Sequence, residues 1–220
     1  MSSNTMKFTQ RKLKKNYRSI TGYFPSVKND ISIGFESKLE KTFFLMLEFD
    51  DDVLTYQEQP QIKIVLDGRK KTYSADCFIK RVDSSILRDT LVEVKYTSEL
   101  EKEKEYFEKK FKAIRQTTDE LDLDFIIFTE EDYSDDYISN LDFLYRYITQ
   151  DREKSYDENI KILLKDKKLT ARDIAEQISE SPSEFLIISN AIWGLVADKQ
   201  LSTDLHLSQI DMNSKVKVVN

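Results

Sequence analysis

Residues 91–97 read Leu91-Val92-Glu93-Val94-Lys95-Tyr96-Thr97. Val92, Val94 and Tyr96 alternate with Glu93, Lys95 and Thr97, the period of a strand with one apolar and one polar face. Two residues apart, Glu93 and Lys95 point the same way. A solvated strand face would account for them, and so would a face aimed at something that needs a carboxylate beside an ammonium. The residues around this strand decide between the two.

Upstream, Asp76 stands in Tyr73-Ser74-Ala75-Asp76-Cys77-Phe78. The surrounding strand, 71–80, is otherwise apolar or small here, and an acid buried in it costs stability unless it binds something. Residues 61–66 alternate as the strand before it, Asp67-Gly68 is a strong hairpin signal, and Asp83-Ser84-Ser85 turns the chain toward 91–97. A helix precedes the hairpin at 37–49, with Leu39, Phe43 and Leu47 on one face, widened by Phe44 and Met46. It opens with the capping-box pattern Ser37-Lys38-Leu39-Glu40. Downstream come a second helix, 99–116, with Leu100, Phe107, Phe111 and Ile114 as its buried stripe, a short buried strand, 124–129, and a third helix, 136–148. The strand–helix–strand unit over 91–129 predicts a parallel pair joined by a right-handed crossover. The fold class is therefore α/β, with a mixed sheet flanked by helices.

Asp76 on one strand and Glu93-x-Lys95 on the next have the spacing used to hold Mg²⁺ for phosphodiester hydrolysis. Mg²⁺ takes octahedral oxygen ligands and keeps several waters, so Asp76, Glu93 and the backbone carbonyl of Val94 would leave room for water and phosphate. Lys95 would orient the attacking water or stabilise developing charge. Glu40, on the preceding helix, would complete a site for two ions. As a capping-box residue it needs no such role, just as Glu93 and Lys95 need none on a solvated face. Their order along the chain is what favours the joint reading: helix Glu, hairpin, strand Asp, strand Glu-x-Lys is the order of a restriction-endonuclease-like core.

Composition is compatible with this chemistry and excludes others. The 220 residues, 40% hydrophobic with 13 Phe and 11 Tyr, can fill a real core. No apolar run approaches the ~18 residues of a membrane span, and no membrane association is expected. One cysteine, Cys77, forms no internal disulfide and fits a reducing compartment. With a single histidine, His206, zinc sites of several Cys and His are excluded, as are Ser-His or Cys-His pairs away from position 206. The net charge of −6 argues against nucleic acid but is unevenly placed. Residues 1–30 carry Lys7, Arg11, Lys12, Lys14, Lys15, Arg18 and Lys28 against Asp30 alone. This basic arm, interleaved with Phe8, Tyr17, Tyr23 and Phe24, could follow a phosphate backbone or stand as a solvated tail.

The charged run 149–157 reads as a linker, which sets the domains at 1–30 (arm), 31–150 (catalytic) and 151–220. The last contains helical patterns at 158–164, 170–178 and 182–196 and two β-leaning runs, 201–207 and 215–219, the pattern of a winged helix. Residues 182–196 would be its recognition helix, yet 181–194 hold Glu184 and no Lys or Arg. A helix without a cation is a poor phosphate reader, so protein contact is expected of this domain. Ile187, Ile188, Ile192 and Trp193 read as core, and His206 as structural.

Five separated blocks, Phe35-Glu36-Ser37-Lys38-Leu39-Glu40, Leu47-Glu48-Phe49-Asp50-Asp51-Asp52-Val53, Gln57-Glu58-Gln59-Pro60, Tyr73-Ser74-Ala75-Asp76 and Val92-Glu93-Val94-Lys95, resemble the TnsA endonuclease family, and Gly22-Tyr23-Phe24-Pro25-Ser26-Val27-Lys28 extends the match. The sequence departs from the family at Ala75, where Pro usually precedes the Asp. The resemblance implies Glu40, Asp76 and Lys95 as the catalytic set. Glu40, Asp76, Glu93 and the Val94 carbonyl would contact metal, with two Mg²⁺ expected and Mn²⁺ as substitute, and Gln59 would lie near the site. It further implies a bacterial cytoplasmic transposase subunit that nicks the 5′ ends of the transposon. A TnsB-like integrase would cut and join the 3′ ends, a TnsC-like ATPase would be the other partner, and Lys12, Lys14, Lys15, Arg18 and Lys28 would meet DNA. The alternatives are a freestanding restriction or repair nuclease of the same core, and a scaffold that recruits partners without cutting.

Overall fold

The computed structural model describes residues 8–11 and 20–219. Its first elements are a short strand β1 (Thr9–Gln10), the hairpin β2 (Gly22–Ser26) and β3 (Ile31–Phe35), and helix α1 (Lys38–Phe49). Ser37 caps α1 by accepting from the Glu40 N–H. The first strand of the hairpin, β2, falls within the segment 1–30 expected to be a basic arm, and its second, β3, within the segment expected to be the catalytic domain. Phe24 and Ser26 are buried in β2, an alternation that charge counting hides. Gly22 pairs with Phe35, and a Cβ on it would lie 2.6 Å from the Phe35 ring, so only glycine permits the approach.

Next come β4 (Val53–Glu58), β5 (Pro60–Leu66), β6 (Arg69–Ser74), β7 (Cys77–Arg81) and β8 (Thr90–Val94). Asp67 and Gly68 both have positive φ, 53° and 70°, and link the paired Leu66 and Arg69 in the two-residue turn expected of Asp-Gly. The expected strand 71–80 is broken at Ala75 and Asp76 into β6 and β7, and Gln59 separates β5 from β4. Both limbs of the hairpin change sheets at this level. β5 and β6 form one sheet in the order β1-β5-β6, while β4 and β7 continue into another, ordered β4-β7-β8-β9, whose last strand is β9 (Asp124–Phe128). β4 was not expected because a bulge between Val53 and Thr55 puts its buried residues, Val53 and Tyr56, out of strict alternation.

β8 and β9 are parallel, with Glu93 opposite Ile127 and Val94 opposite Phe128, as the crossover predicts. The intervening helix, expected to be continuous, breaks at Glu103 (φ −119°, ψ 33°) into α2 (Thr97–Lys102) and α3 (Lys104–Glu120). α2 buries no residue, so no packing holds it in line. α3 buries Phe107, Phe111 and Ile114 against Ile62, Ile64, Phe78 and Leu91. α1 contributes Phe43, its ring centroid 4.7 Å from that of Phe128, and Phe44, stacked on Tyr56 at 5.4 Å.

One buried carboxylate ties the N-terminal hairpin to α1. Glu48 accepts from the Ser26 hydroxyl (2.6 Å), the Val27 and Lys28 N–H groups (3.0 and 3.1 Å) and the Tyr56 hydroxyl (2.8 Å). The Lys28 ammonium donates to the carbonyls of Asp50 (2.8 Å) and Val53 (2.6 Å) where α1 ends.

The chain divides into two compact units, Met1–Asp132 and Tyr133–Asn220. The second contains α4 (Asp135–Thr149), α5 (Asp157–Leu163), β10 (Leu169–Thr170), α6 (Ala171–Ile178), α7 (Pro182–Ala197), β11 (Leu201–Ser202) and β12 (Lys215–Val218). Its strands pair antiparallel in the order β10-β12-β11 over a core that includes Ile160, Ile174, Ile188, Ile192 and Trp193. α4, placed by the sequence in a domain ending at 150, packs instead on α7. The expected strand 201–207 stops at Ser202, because Asp204 draws the His206 and Leu207 N–H groups into a turn.

Removing one member of a buried polar network strands the others. Glu48→Leu should therefore lower the unfolding free energy by about 3 kcal/mol, read as a shifted urea midpoint. Lys28→Met should cost about 1 kcal/mol.

Candidate active site

The sheet change that breaks the long hairpin also builds the site. Asp76 lies between β6 and β7, its N–H donating to the Val92 carbonyl (3.0 Å) and its own carbonyl accepting from the Gln59 N–H (3.1 Å). On the N-terminal side of Asp76 the chain no longer pairs with β8. The Asp76 carboxylate takes over, its Oδ2 accepting from the Val94 N–H at 2.8 Å. The acid thus fills the place of a backbone acceptor at a strand end. Its side chain keeps 13% of its surface exposed.

Lys95 follows β8 directly. Its N–H donates to the Phe128 carbonyl (2.9 Å), and its ammonium reaches Asp76 Oδ2 (3.4 Å), the Val94 carbonyl (3.0 Å) and Glu93 Oε1 (3.6 Å). Burial works to lower its pKa, but the charges of Asp76 and Glu93 outweigh burial and hold it above the usual lysine range. Lys95 is therefore a cation at neutral pH, not a base.

Glu40 sits on the first turn of α1, 6% exposed. Its Oε2 accepts from the Glu36 N–H (3.0 Å) and its Oε1 from the Ser37 hydroxyl (3.2 Å). Ser37 thus caps the helix as expected, while the return bond of the box runs to Glu36. Burial raises the Glu40 pKa from 4.5 to about 7, the charge of Asp76 adding to the effect. Burial likewise raises Asp76 from 3.8 to about 6, with Glu93 adding to it and Lys95 and the Val94 N–H opposing it. Two carboxyl groups on different elements are held where each resists ionisation, the condition that a bound cation relieves.

Glu93 has other company. It is 2% exposed, and Lys110, on α3, donates to its Oε1 at 2.9 Å. The Tyr73 hydroxyl, on β6, donates to Oε2. Burial and the Glu93 charge push the Tyr73 phenol well up, so it remains a donor. The Lys110 ammonium also lies 4.8 Å from the Tyr73 ring centroid. Glu93 is thus a counter-ion for two lysines. Among the described residues, no group of three acidic, Cys or His side chains is placed to hold one metal ion.

Gln59 is 1% exposed and has φ 50°, a conformation that costs a non-glycine residue about 1 kcal/mol or more. Its carbonyl accepts from the Arg11 N–H (3.0 Å) and its side-chain oxygen from Arg11 Nε (3.0 Å) and a terminal guanidinium nitrogen (2.5 Å). The buried Gln59 amide nitrogen has no partner among the described residues.

Asp76, Glu93, Lys95 and the Val94 carbonyl are therefore together, with Glu40 close enough for the Asp76 charge to raise its pKa. Lys28 is not with them, its ammonium being committed at the end of α1. Lys12, Lys14, Lys15 and Arg18 lie outside the described residues. Sequence reasoning missed Tyr73, Lys110 and Arg11. Lys110 was hidden in the charged run of its helix, and only its place three residues after Phe107 and one before Phe111 hints that it faces the sheet.

No curated protein matches the chain at a significant level. Residues 50–130 match the family described as TnsA-like endonuclease N terminal. Glu40 lies outside the matched segment, and what links it to Asp76 is the effect of the Asp76 charge on its pKa. Asp76, Glu93 and Lys95 all lie inside this match, so the segment that carries them is similar to the N-terminal domain of TnsA-like endonucleases.

Proposed function

We propose that the chain is a divalent-metal-dependent DNA endonuclease, the transposase subunit that hydrolyses the phosphodiester at the 5′ ends of a transposon. The observation that carries this reading is the meeting of the Asp76 carboxylate, the Val94 carbonyl and the Lys95 ammonium at one strand end, the ammonium 3.4 Å from Asp76 and 3.0 Å from the carbonyl, with the buried Glu40 near enough for the Asp76 charge to raise its pKa. The restriction-endonuclease-like order of elements supports it.

The donor set fits Mg²⁺. Glu40, Asp76 and the second lone pair of the Val94 carbonyl would hold the ion, with water completing an octahedron that Mg²⁺ rarely fills from protein alone. When bound, the ion supplies Lewis acidity toward phosphate and lowers the pKa of water. Lys95 donates hydrogen bonds to the attacking water or to the phosphate oxygens as negative charge grows. Glu93 acts on Lys95, fixing the ammonium while Lys110 and Tyr73 balance the buried charge.

In the second unit, the order α5-β10-α6-α7-β11-β12 supports a winged-helix reading. α7 carries no Lys or Arg and leaves Leu186 and Ile187 exposed, which suits contact with a protein, here a TnsC-like ATPase, better than with phosphate. DNA would be met by the cationic residues Lys12, Lys14, Lys15 and Arg18 and delivered with a TnsB-like integrase. Among the described residues no helix is long and apolar enough to cross a membrane.

In a reconstituted excision reaction, Asp76→Ala should abolish 5′-strand cleavage and retain 3′-strand transfer; unchanged double-strand excision would refute the assignment. Efficient cutting of bare DNA by this chain alone would favour a freestanding nuclease. Glu93→Gln should lower cleavage about tenfold while leaving Mn²⁺ affinity within about threefold by calorimetry, whereas Glu40→Gln and Asp76→Asn should each weaken Mn²⁺ about a hundredfold. Because the folded state raises the Glu40 pKa, its contribution to stability is full below pH 4.5 and is lost as pH rises through about 7. Metal-free Glu40→Gln should therefore unfold at a higher temperature than the parent at pH 8, by about 1–3 kcal/mol in stability, with the gain vanishing near pH 4.

A further inference from the structure

The two acids are carried by segments with no ladder pairing between them, and Arg11 joins those segments. Strand β1 lies along β5, Thr9 opposite Gln61 and Gln10 opposite Pro60. Phe8 anchors it with its ring 4.8 Å from that of Phe78, and its carbonyl accepts from the Gln57 side chain (2.9 Å). This delivers Arg11 to the sheet change. Its guanidinium donates to Gln59 Oε1 from two nitrogens and to Glu36 Oε2 at 2.7 Å. Each residue it grips holds one acid by a backbone N–H: Gln59 donates to the Asp76 carbonyl at 3.1 Å and Glu36 to Glu40 Oε2 at 3.0 Å.

We propose that Arg11 is a positioning residue that sets the separation of Glu40 and Asp76 by clamping Glu36 and Gln59 together. Two features of Gln59 support this. It keeps a left-handed backbone without being glycine, which makes sense if its side chain is needed, and that side chain is spent on the guanidinium. Arginine suits the role because its planar fork can bond two acceptors at fixed angles, which a lysine ammonium cannot. The clamp also makes the N-terminal segment part of the site's framework. With the guanidinium committed to Glu36 and Gln59, Arg11 differs in kind from the lysines that follow it in the sequence, and it needs no phosphate contact to be important.

The inference rests on the nuclease reading for its consequence but not for its test. Hydrogen exchange on the full, metal-free chain should show the Glu36 and Gln59 amides exchanging at least about tenfold faster in Arg11→Ala, with the Cys77–Val92 pairing of β7 and β8 unchanged. Arg11→Lys, which can keep the ion pair with Glu36 but not the fork, should free Gln59 and spare Glu36. Mn²⁺ affinity should fall about tenfold in Arg11→Ala. In the excision reaction kcat should fall about 10- to 100-fold with KM for DNA and its salt dependence unchanged. Gln59→Leu should give a similar loss, and the double variant no more than either alone. Unaltered exchange at Glu36 and Gln59 would overturn the clamp. So would a raised KM and a salt slope reduced by about one with kcat intact, the signature of a phosphate contact. If the parent chain does not cut, the nuclease reading fails while exchange and Mn²⁺ binding still decide the role of Arg11.

Discussion

The hydrogen bond from the Gln59 N–H to the Asp76 carbonyl marks the level at which both limbs of one hairpin leave one sheet and enter another. The site follows from that break in pairing. Had β6 run on into β7 as a single strand, Asp76 would sit in a ladder with its carboxylate on one face of a continuous sheet. The break instead frees the Val94 N–H from any strand partner, and the Asp76 carboxylate takes it. The acid is fixed by backbone, not by a rotamer alone, and Lys95 is the first residue after β8. A left-handed Gln59 is what the bend costs in conformational energy, and the hydrogen bonds of Arg11 offset that cost.

Electrostatics divides the buried charges into two sets. Glu93, Lys110 and the Tyr73 hydroxyl are balanced among themselves, with Lys95 at the edge. Among the described residues Glu40 has no cation in contact, Asp76 shares the Lys95 ammonium with Glu93, and both acids are pushed toward neutrality. A protein that needed only a stable core would replace such groups with apolar ones. Their presence beside a neighbouring set that is paired among itself sets these two carboxyl groups apart from the rest of the buried charge.

The acids and the lysine were legible in the sequence because they sit where period and order speak: a first helical turn, an interrupted apolar strand, an alternating strand. The same rules fail where tertiary context overrides period. β4 was invisible because its bulge spoils alternation, and the break of 71–80 because Ala75 and Asp76 look like strand residues until both limbs are seen to switch. Glu93 reads as a ligand from its spacing to Asp76, but spacing along a strand says nothing about Lys110 arriving from a helix seventeen residues on. Arg11 was counted as one charge in a basic segment, and only its pairing with Gln59 and Glu36 distinguishes it.

The family blocks also separate into chemistry and framework. Tyr73 to Asp76 and Val92 to Lys95 contain the groups for which a catalytic role is proposed and the residues that balance them. The blocks around Lys28 and Glu48 contain none, yet they interlock: Glu48 gathers Ser26, Val27, Lys28 and Tyr56, and Lys28 closes the end of α1. Since α1 carries Glu40 at its other end, eight residues before Glu48, tying down its last turn limits how far its first turn can shift. A helix of 12 residues is about 18 Å long, and small rotations about an anchored end move a first-turn carboxylate by ångströms. The N-terminal hairpin, whose first strand lies in the segment read from its charge as a phosphate-following arm or a solvated tail, thus fixes one end of the helix, and the Ser37 cap with the Glu36 N–H fixes the other.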